Sequence, residues 1–376
     1  MKLYIVAGEK SGDKQGALVI QELVRRCSSL SVAGLGGSRM HALSPDVEDW
    51  AEQAGVIGVV DVLKQAGFFL RKLRETEEAI VAMQPDCLLL IDYPGFNQRL
   101  LERVRRRCPS LRIVYFIAPM VWAWHRSRAY RLARFLDLML CTFPFEKPIF
   151  EDAHLRTEFV GHPLVDDILA NRRTGVREPG LIGLFPGSRR REIDRHFPVL
   201  LEVVKACRAL HPERRFITSA SSPALAESME RMAREAGVAP EEVNITPGLY
   251  HDLMDRAEAA LVASGTATLE AALHELPHAL IYKTAWGTYF LARLVLTGNI
   301  RFIGMVNILA DAPVTKELIQ QDFNVENCLA ELDLLTSPEH KPRILADMAA
   351  SVARLGHGHA AAKAAEAILE LLSEPR

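Results

Sequence analysis

Residues 181–192 read LIGLFPGSRRRE, an apolar run followed by a glycine-containing turn and the basic start of a helical pattern. A short, continuous apolar run is typical of a parallel strand that is buried on both faces. Residues 3–13, LYIVAGEKSGD, repeat the strand, the glycine turn and the helix start, with acids in place of the arginines. Two such starts in one chain predict an α/β protein of two domains, each built on a doubly wound parallel sheet.

The alternation of apolar runs and amphipathic stretches continues from both starts. A polar stretch at 171–180, rich in proline, glycine and charge, marks a linker between the domains. We therefore expect an N-terminal domain over 1–170, a C-terminal domain over 171–340 and alanine-rich helices over 341–376. The other predicted strands are residues 87–91, 113–117, 138–141, 215–219, 243–246, 259–263 and 278–282.

Composition limits the classes of function. A length of 376 residues fits about two domains. Lys and Arg number 45 against 47 Asp and Glu, so no global positive field indicates a nucleic-acid partner. The six cysteines are scattered without a C-x-x-C pair, which predicts reduced thiols rather than disulfides or a zinc site. No apolar run approaches the roughly 20 residues that span a bilayer, and the first residues do not resemble a signal peptide, so we expect a soluble cytoplasmic protein.

The glycine turn at 186–189 predicts an anion site. Backbone N–H groups of Gly187 and Ser188 lie at a predicted helix start, and Arg189 can hold a phosphate group bidentately. The alternative is a solvated basic helix start. A second turn at 263–270 also leads from a strand into a helix, and its small residues would let a phosphate approach the backbone: Ser264, Gly265, Thr266 and Ala267.

Glu270 follows one turn into the second predicted helix. A carboxylate at this position can accept hydrogen bonds from two ribose hydroxyls, whereas the alternative is a surface glutamate that the helix dipole favours. The two turns together predict that the C-terminal domain binds a nucleotide diphosphate.

The corresponding turn of the N-terminal domain carries acids. Glu9 and Asp13 would repel a diphosphate, so we expect this loop, with Ser11 and Gly12, to contact hydroxyl groups. The alternative is a plain turn in which Asp13 interacts with the helix start. Asp92 ends the apolar strand 87–91, where a carboxylate suits a general base, and the alternative is a residue that caps the next turn.

Two further stretches carry candidate functional residues. Trp122 and Trp124 fall in one predicted loop, which favours a wall that binds a sugar or an acyl chain. His125 and His162 lack companions at metal-ligand spacing and are interpreted as hydrogen-bonding residues. Residues 56–74 combine apolar and basic side chains, which fits either a membrane-interface segment or, more simply on pattern alone, a core element followed by a basic helix face.

The chain resembles the lipid-A-disaccharide synthase family over essentially its whole length. Seven motifs in the same order carry the resemblance: AGEKSGD at 7–13, DYPGFN at 92–97, PMVWAW at 119–124, FPFE at 143–146, FVGHP at 159–163, PGSR at 186–189 and ASGTATLE at 263–270. The resemblance implies a GT-B glycosyltransferase with two Rossmann-like domains that face a central cleft. It also implies an inverting transfer that joins UDP-2,3-diacylglucosamine to 2,3-diacylglucosamine 1-phosphate (lipid X) through a β-1,6 linkage and releases UDP.

The resemblance assigns roles to the candidate residues. Asp92 becomes the base, and the UDP group falls to Gly187, Ser188, Arg189, Ser264, Gly265, Thr266, Ala267 and Glu270. The acceptor falls to Glu9, Ser11, Gly12, Asp13, Asn97, Trp122, Trp124 and His162. Membrane docking falls to Val59, Val60, Leu63, Lys64, Phe68, Phe69, Leu70, Arg71 and Lys72.

The resemblance further implies a peripheral enzyme on the cytoplasmic face of the inner membrane, with neither a metal nor another cofactor. It leaves open whether the C-terminal helices return to the first domain or swap between the copies of a homodimer. Two other functions remain alternatives. One is another GT-B protein, such as a UDP-N-acetylglucosamine 2-epimerase, and the other is a non-catalytic, membrane-associated nucleotide-binding protein.

Overall fold

The fold consists of two parallel sheets, each surrounded by helices. The computed structural model describes residues 1–51, 62–123, 126–287 and 301–375, and the side chains of 62–66 are outside this description. The chain divides into unit 1, formed by Met1–Asp166 and Leu355–Arg376, and unit 2, formed by Asp167–Arg354. Among the described residues, no helix has both the length and the apolar content to cross a membrane.

Unit 1 contains seven parallel strands in the order β3-β2-β1-β4-β5-β6-β7. Their apolar side chains are buried on both faces of the sheet, as the continuous apolar runs predict. The strands are β1 (Lys2–Ala7), β2 (Ser31–Gly36), β3 (Val47–Asp49), β4 (Cys87–Ile91), β5 (Arg112–Phe116), β6 (Leu138–Cys141) and β7 (Thr157–Phe159).

The helices of unit 1 connect these strands and cover the sheet. They are α1 (Lys10–Arg26), α2 (Ser38–Leu43), α3 (Val62–Met83), α4 (Pro94–Arg107), α5 (Ser127–Ala133), α6 (Lys147–Glu151) and α7 (Pro163–Asn171), with a 3₁₀ turn at Pro144–Glu146. Helix α7 runs across the division between the two units.

Unit 2 repeats this architecture with six parallel strands in the order β10-β9-β8-β11-β12-β13. The strands are β8 (Glu178–Phe185), β9 (Arg215–Ala220), β10 (Val243–Pro247), β11 (Ala257–Ala263), β12 (His278–Tyr282) and β13 (Glu317–Ile319). The helices are α8 (Arg190–Leu210), α9 (Pro223–Glu235), α10 (Tyr250–Arg256), α11 (Thr266–Leu273), α12 (Met305–Ala310), α13 (Val325–Thr336) and α14 (Lys341–Ala353).

The final helix, α15 (Ala360–Ser373), packs on unit 1 rather than on unit 2. Ile368 and Leu371 are buried in the same apolar cluster as Leu3 and Ile20, so the end of the chain closes the face of the first sheet that α1 covers. Helix α14 precedes it and packs on unit 2 through Met348. The predicted GT-B class, with two Rossmann-like sheets, is confirmed by this topology.

Candidate functional site

Each sheet has a point at which the strand order reverses, and the predicted loops lie there. In unit 1 this point falls between β1 and β4, where Ala7 is the register partner of Ile91. In unit 2 it falls between β8 and β11, where Phe185 is the partner of Val262. Ligands of doubly wound sheets bind outside the carboxyl ends of the strands at such a point. The candidate residues in the loops that follow these two strand pairs are therefore neighbours in the fold although they are distant in the sequence.

The backbone after β4 has a strained conformation. Asp92 and Tyr93 have φ angles of 45° and 47°, so two consecutive residues with side chains adopt the left-handed region. Such strain persists only where the surroundings hold the backbone in place, and it concentrates at functional sites. The turn directs the chain from the last buried strand residue straight into α4.

Two buried side chains hold the turn at Asp92. The side-chain amide of Asn97 donates hydrogen bonds to the carbonyl oxygens of Asp92 at 2.8 Å and of Ile91 at 3.2 Å. The Tyr115 hydroxyl donates a further hydrogen bond to the Asp92 carbonyl oxygen at 2.6 Å. Asn97 is completely buried, so its side chain holds the backbone of the turn.

The surroundings of the Asp92 carboxyl group change its pKa. Its burial raises its pKa, and the negative charge of Glu9 raises it further, whereas a hydrogen bond from the Tyr93 backbone lowers it. A carboxylate with a raised pKa is a stronger proton acceptor. Glu9 itself is exposed at the first residue after Gly8 and lies close enough to affect both Asp92 and Tyr93.

An aromatic cluster supports the same turn from the other side. The Tyr93 ring covers Gly8 so closely that a Cβ atom at Gly8 would lie 2.2 Å from it, which explains the glycine. Tyr93 also contacts the rings of Trp50, Phe69 and Phe96, with centroid distances of 5.8, 6.4 and 6.2 Å. Trp50, which the sequence analysis did not single out, donates its indole N–H to the carbonyl oxygen of Ala7 at 2.7 Å.

The Asp13 carboxylate has a structural role. It accepts hydrogen bonds from the backbone N–H groups of Gly37, Arg39 and Met40 at 2.8, 3.1 and 3.0 Å, and so caps helix α2. The residue is buried, and its carboxylate oxygens are engaged in these bonds.

Asp13 therefore caps the start of α2 and not the start of α1, the helix on which it lies. The neighbouring candidates differ in exposure. Ser11 is exposed, whereas Gly12 is buried and its missing Cβ would lie 3.2 Å from Ala7 Cβ.

A second aromatic group is formed by the segments that follow β5, β6 and β7. Trp122 is half-buried with its ring edge-on to Phe145, and Phe143 contacts the His162 ring at 4.8 Å. Nδ1 of His162 accepts a hydrogen bond from the backbone N–H of Leu164 at 3.2 Å, so the ring caps the start of α7. Trp124 and His125 lie outside the described residues.

Glu146, a residue that the sequence analysis did not assign, is buried beside this aromatic group. Its carboxyl group accepts a hydrogen bond from the backbone N–H of Phe143 at 3.1 Å. Burial raises the pKa of Glu146 to about 8. The burial beside Trp122 therefore favours the protonated form of this carboxyl group.

The loop at 186–189, the first of the two loops in the candidate nucleotide site of unit 2, is partly occupied by the side chain of Glu192. Glu192 accepts hydrogen bonds from the backbone N–H groups of Ser188 at 3.1 Å and of Arg189 at 3.3 Å. Gly187 has a φ of 113°, and a Cβ there would collide with Glu192. Arg189 leaves 84% of its side chain exposed, with Glu192 as its ion-pair partner at 3.6 Å.

A ligand anion at this loop therefore meets the Arg189 guanidinium, whereas the adjacent amide groups already bind Glu192. The capping role of Glu192 could have been found from its spacing, three residues after Arg189.

His196 fixes the same loop: Nδ1 is bonded to the Pro186 carbonyl oxygen at 2.7 Å, and Nε2 accepts a hydrogen bond from the Lys283 N–H at 3.0 Å. Burial lowers the pKa of His196, which favours this neutral, two-sided bonding.

The second loop offers backbone groups for an anion. Gly265, with a φ of 142°, is the residue before helix α11, and no described side chain caps that helix. Thr268 donates its hydroxyl to the Gly265 carbonyl oxygen at 3.0 Å, which shapes the turn. Gly265 and Thr266 are exposed, while Ser264 and Ala267 are half-buried, so the first turn of α11 is accessible.

Glu270 lies on α11 with its side chain turned inward. It interacts with the Tyr250 hydroxyl, and its burial raises its pKa, whereas Tyr250 and His251 lower it. Tyr250 in turn packs edge-on against Phe185, the last residue of β8. This contact joins Glu270 to the first loop. Apolar periodicity does not predict it, because Tyr250 follows β10 and Glu270 follows β11, which lie in opposite halves of the sheet.

The predicted docking segment divides into buried and exposed residues. Phe69 packs into the aromatic cluster at Tyr93, and Lys72 is buried with its ammonium group 2.8 Å from Glu48 and 3.2 Å from Glu75. These two side chains agree with the alternative interpretation, in which this segment is part of the core of the domain. Leu70 is 61% exposed.

Among the other docking candidates, the side chains of Phe68 and Arg71 are described. Arg71 is exposed and lies over the half-buried Phe68 ring at 5.9 Å. Val59 and Val60 lie outside the described residues, and the same holds for the side chains of Leu63 and Lys64.

Comparison with known proteins gives one family. A family model described as lipid-A-disaccharide synthetase matches residues 3–371. A lipid-A-disaccharide synthase of Geobacter sulfurreducens is 36% identical over 382 residues, which cover 99% of this chain and 98% of that protein.

Solved structures share the fold at low identity. A UDP-GlcNAc 2-epimerase from Neisseria meningitidis, bound to UDP-GlcNAc, aligns with a TM-score of 0.61 at 12% identity, covering 98% of this chain and 100% of that chain. The glycotransferase of kitacinnamycin aligns with a TM-score of 0.59 at 14% identity, covering 98% of both chains. At these identities the likeness shows the fold alone.

Proposed function

The chain belongs to the lipid-A-disaccharide synthase family, and we propose that unit 1 supplies the base for its reaction while unit 2 holds the UDP of the donor. The enzyme transfers 2,3-diacylglucosamine from UDP to the 6-hydroxyl of 2,3-diacylglucosamine 1-phosphate. The products are a β-1,6-linked disaccharide 1-phosphate and UDP. The observation that carries the division of roles is the contrast between the two loops, acidic at Asp92 and basic at Arg189.

The donor site that we propose is built from both loops of unit 2. The exposed guanidinium of Arg189 and the uncapped first turn of α11 bind the diphosphate, since both favour a negative charge. Glu270 accepts hydrogen bonds from the ribose hydroxyls, and Tyr250 orients it. Ser188 contributes less to phosphate binding than the sequence predicts, because its N–H is bonded to Glu192.

In the proposed chemical step, Asp92 accepts the proton of the acceptor 6-hydroxyl. The hydroxyl oxygen attacks the anomeric carbon of the donor sugar, and the bond from that carbon to the UDP oxygen breaks. A single displacement turns the α-linked donor into a β-linked product. The negative charge that develops on UDP is stabilised by Arg189 and the backbone N–H groups of α11, so the transfer proceeds without a divalent cation.

We also propose that the enzyme works at the cytoplasmic surface of the inner membrane, because both substrates carry acyl chains. Fewer of the described residues are available for membrane docking than the sequence predicts. Leu70 and Arg71 are exposed on α3 and suit insertion and phosphate contact, respectively. Phe69 and Lys72 instead contact Tyr93 and Glu48, respectively, and so hold α3 against the rest of unit 1.

The activity is tested by incubating the purified protein with UDP-2,3-diacylglucosamine and 2,3-diacylglucosamine 1-phosphate in detergent micelles. We expect equal amounts of disaccharide and UDP. Formation of UDP without disaccharide, or interconversion of a UDP-sugar without any acceptor, would contradict the proposal. The second result would favour the epimerase alternative.

A further inference from the structure

A cavity of about 380 Å³ lies in unit 1 beside the Asp92 turn. It is lined by residues between Pro94 and Glu102 of α4, by Arg128, Arg131 and Leu132 of α5, and by Phe135, which follows α5. Helix α4 begins three residues after β4 ends, so the end of the cavity at Pro94 and Gly95 lies toward the carboxyl end of β4. Pro94 and Gly95 line the cavity and follow Asp92 by two and three residues, so the cavity begins at the helix start that the Asp92 turn leads into.

The cavity has an excess of positive charge. Its lining contains three arginines, Arg99, Arg128 and Arg131, but one acid, Glu102. The Glu102 carboxylate is paired with Arg131 at 2.5 Å. Arg99 donates a hydrogen bond to the Gly95 carbonyl oxygen, which keeps its guanidinium at the start of α4.

Arg128 is exposed and forms no ion pair with any residue in the part of the chain that the structure describes. The first turn of α4 contains no acid, and no described side chain caps it. A cation such as Arg99 beside a helix N-terminus is electrostatically unfavourable unless an anion joins it. Arg99, Arg128 and the helix start therefore line one cavity whose single acid, Glu102, is already paired with Arg131.

We propose that this arginine cavity, formed by Arg99, Arg128 and Arg131, binds the phosphate group of the sugar acceptor. The inference rests on the proposed function, in which the acceptor carries one phosphate and presents one hydroxyl to Asp92. A sugar phosphate whose phosphate binds in the cavity has its ring beside Pro94 and Gly95, close to the carboxyl group that accepts the proton. The cavity then selects a phosphorylated acceptor over one with a free anomeric hydroxyl, since guanidinium groups bind phosphate bidentately.

The test compares two acceptors in the full-length enzyme, 2,3-diacylglucosamine 1-phosphate and 2,3-diacylglucosamine. Arg128→Met and Arg99→Met keep the aliphatic part of the side chain and remove the charge. Each variant should lower the ratio of kcat/KM for the phosphorylated acceptor to that for the other acceptor by about tenfold or more, as expected for a charge-assisted hydrogen bond. The affinity for UDP should not change. Arg134→Met, at the end of α5 and outside the cavity lining, is the matched control and should keep the ratio of the native enzyme.

An unchanged ratio in active Arg128→Met and Arg99→Met would overturn the inference and leave the proposed function intact. An equal loss with both acceptors would also overturn it, because the arginines would then not distinguish the phosphate. If Arg128→Met instead loses binding to phosphatidylglycerol vesicles at an unchanged ratio, the arginines bind membrane lipid and the inference is wrong. A native enzyme that forms no disaccharide from either acceptor contradicts the proposed function itself.

Discussion

The Asn97 side-chain amide donates a hydrogen bond to the backbone carbonyl oxygen of Asp92 at 2.8 Å, and so fixes the residue that we propose as the base. Asn97 is fully buried and also bonds the carbonyl oxygen of Ile91, the last residue of β4. The Asn97 side chain therefore bonds the backbone on both sides of Asp92, and it shares the Asp92 carbonyl oxygen with the Tyr115 hydroxyl. Asn97 is a positioning residue in this account.

Replacing Asn97 with alanine should lower kcat while the affinity for UDP stays the same. The substitution leaves two buried carbonyl groups with fewer donors, at a cost of about 1–3 kcal/mol each when unsatisfied, so the turn relaxes. Steady-state kinetics and UDP titration check this split, with thermal unfolding to confirm that the variant is folded. Normal turnover in a folded variant would show that the turn holds Asp92 without Asn97.

Arg189→Ala should weaken UDP binding by about tenfold or more, because it removes the exposed guanidinium that we assign to the diphosphate. Arg190→Ala is the matched control, since the next arginine is already paired with Asp194 at 2.8 Å. Isothermal titration with UDP measures both. Equal affinities of Arg189→Ala and the native protein would remove Arg189 from the diphosphate site.

Glu270→Ala should weaken UDP binding but leave the binding of inorganic pyrophosphate nearly unchanged, because its carboxylate is assigned to the ribose. Tyr250→Phe should shift UDP affinity in the same direction and by less, since it removes the hydroxyl that interacts with Glu270. Competition of UDP and pyrophosphate against a fluorescent nucleotide measures both affinities. A loss of the same size for the two ligands would make Glu270 a structural residue.

Leu70→Ser should reduce association with vesicles that contain phosphatidylglycerol and leave the unfolding temperature nearly unchanged, because the side chain is exposed. Phe69→Ser, one position earlier, should instead lower the unfolding temperature, because its ring packs with Trp50, Tyr93 and Phe96. Vesicle co-sedimentation and calorimetry separate the two effects. Undiminished vesicle binding of Leu70→Ser would argue against docking through this part of α3.

The central strands could be predicted because parallel strands that are buried on both faces appear in the sequence as uninterrupted apolar runs. The missed strands lack that pattern. Two glycines interrupt β2, and one of them, Gly34, is needed because a Cβ there would lie 1.9 Å from the Ile5 carbonyl oxygen. The edge strands β3, β7 and β13 contain three residues each, too few to show a period.

The candidate loops could be predicted because functional loops of such sheets follow the strands, but their internal bonding could not. Glu192 binds the amide groups of the first loop in unit 2, and Asp13 caps a helix that begins beyond the next strand. The pairing of Lys72 with Glu48 likewise joins α3 to β3. These contacts depend on which elements become neighbours, and apolar periodicity along the chain does not contain that information.

The pH dependence of stability gives a check on the environment of Asp92 that is independent of turnover. Burial and Glu9 raise the pKa of Asp92, so its ionised form destabilises the folded state at neutral pH. Removing that charge in Asp92→Asn should leave the unfolding temperature equal or higher at neutral pH. The gain should disappear as the pH falls through the raised pKa, where the native carboxyl group is itself protonated.

The central claim is that Asp92 accepts the proton of the acceptor hydroxyl, and the turnover of Asp92→Asn tests it most directly. Asparagine keeps the size of the side chain but cannot accept the proton. The account predicts a fall in kcat of about 10²–10⁴-fold, as for the loss of a general base, with an unchanged affinity for UDP. Near-normal turnover of Asp92→Asn would contradict the account and make Glu9 the next candidate, because the Asp13 carboxylate is engaged in capping α2.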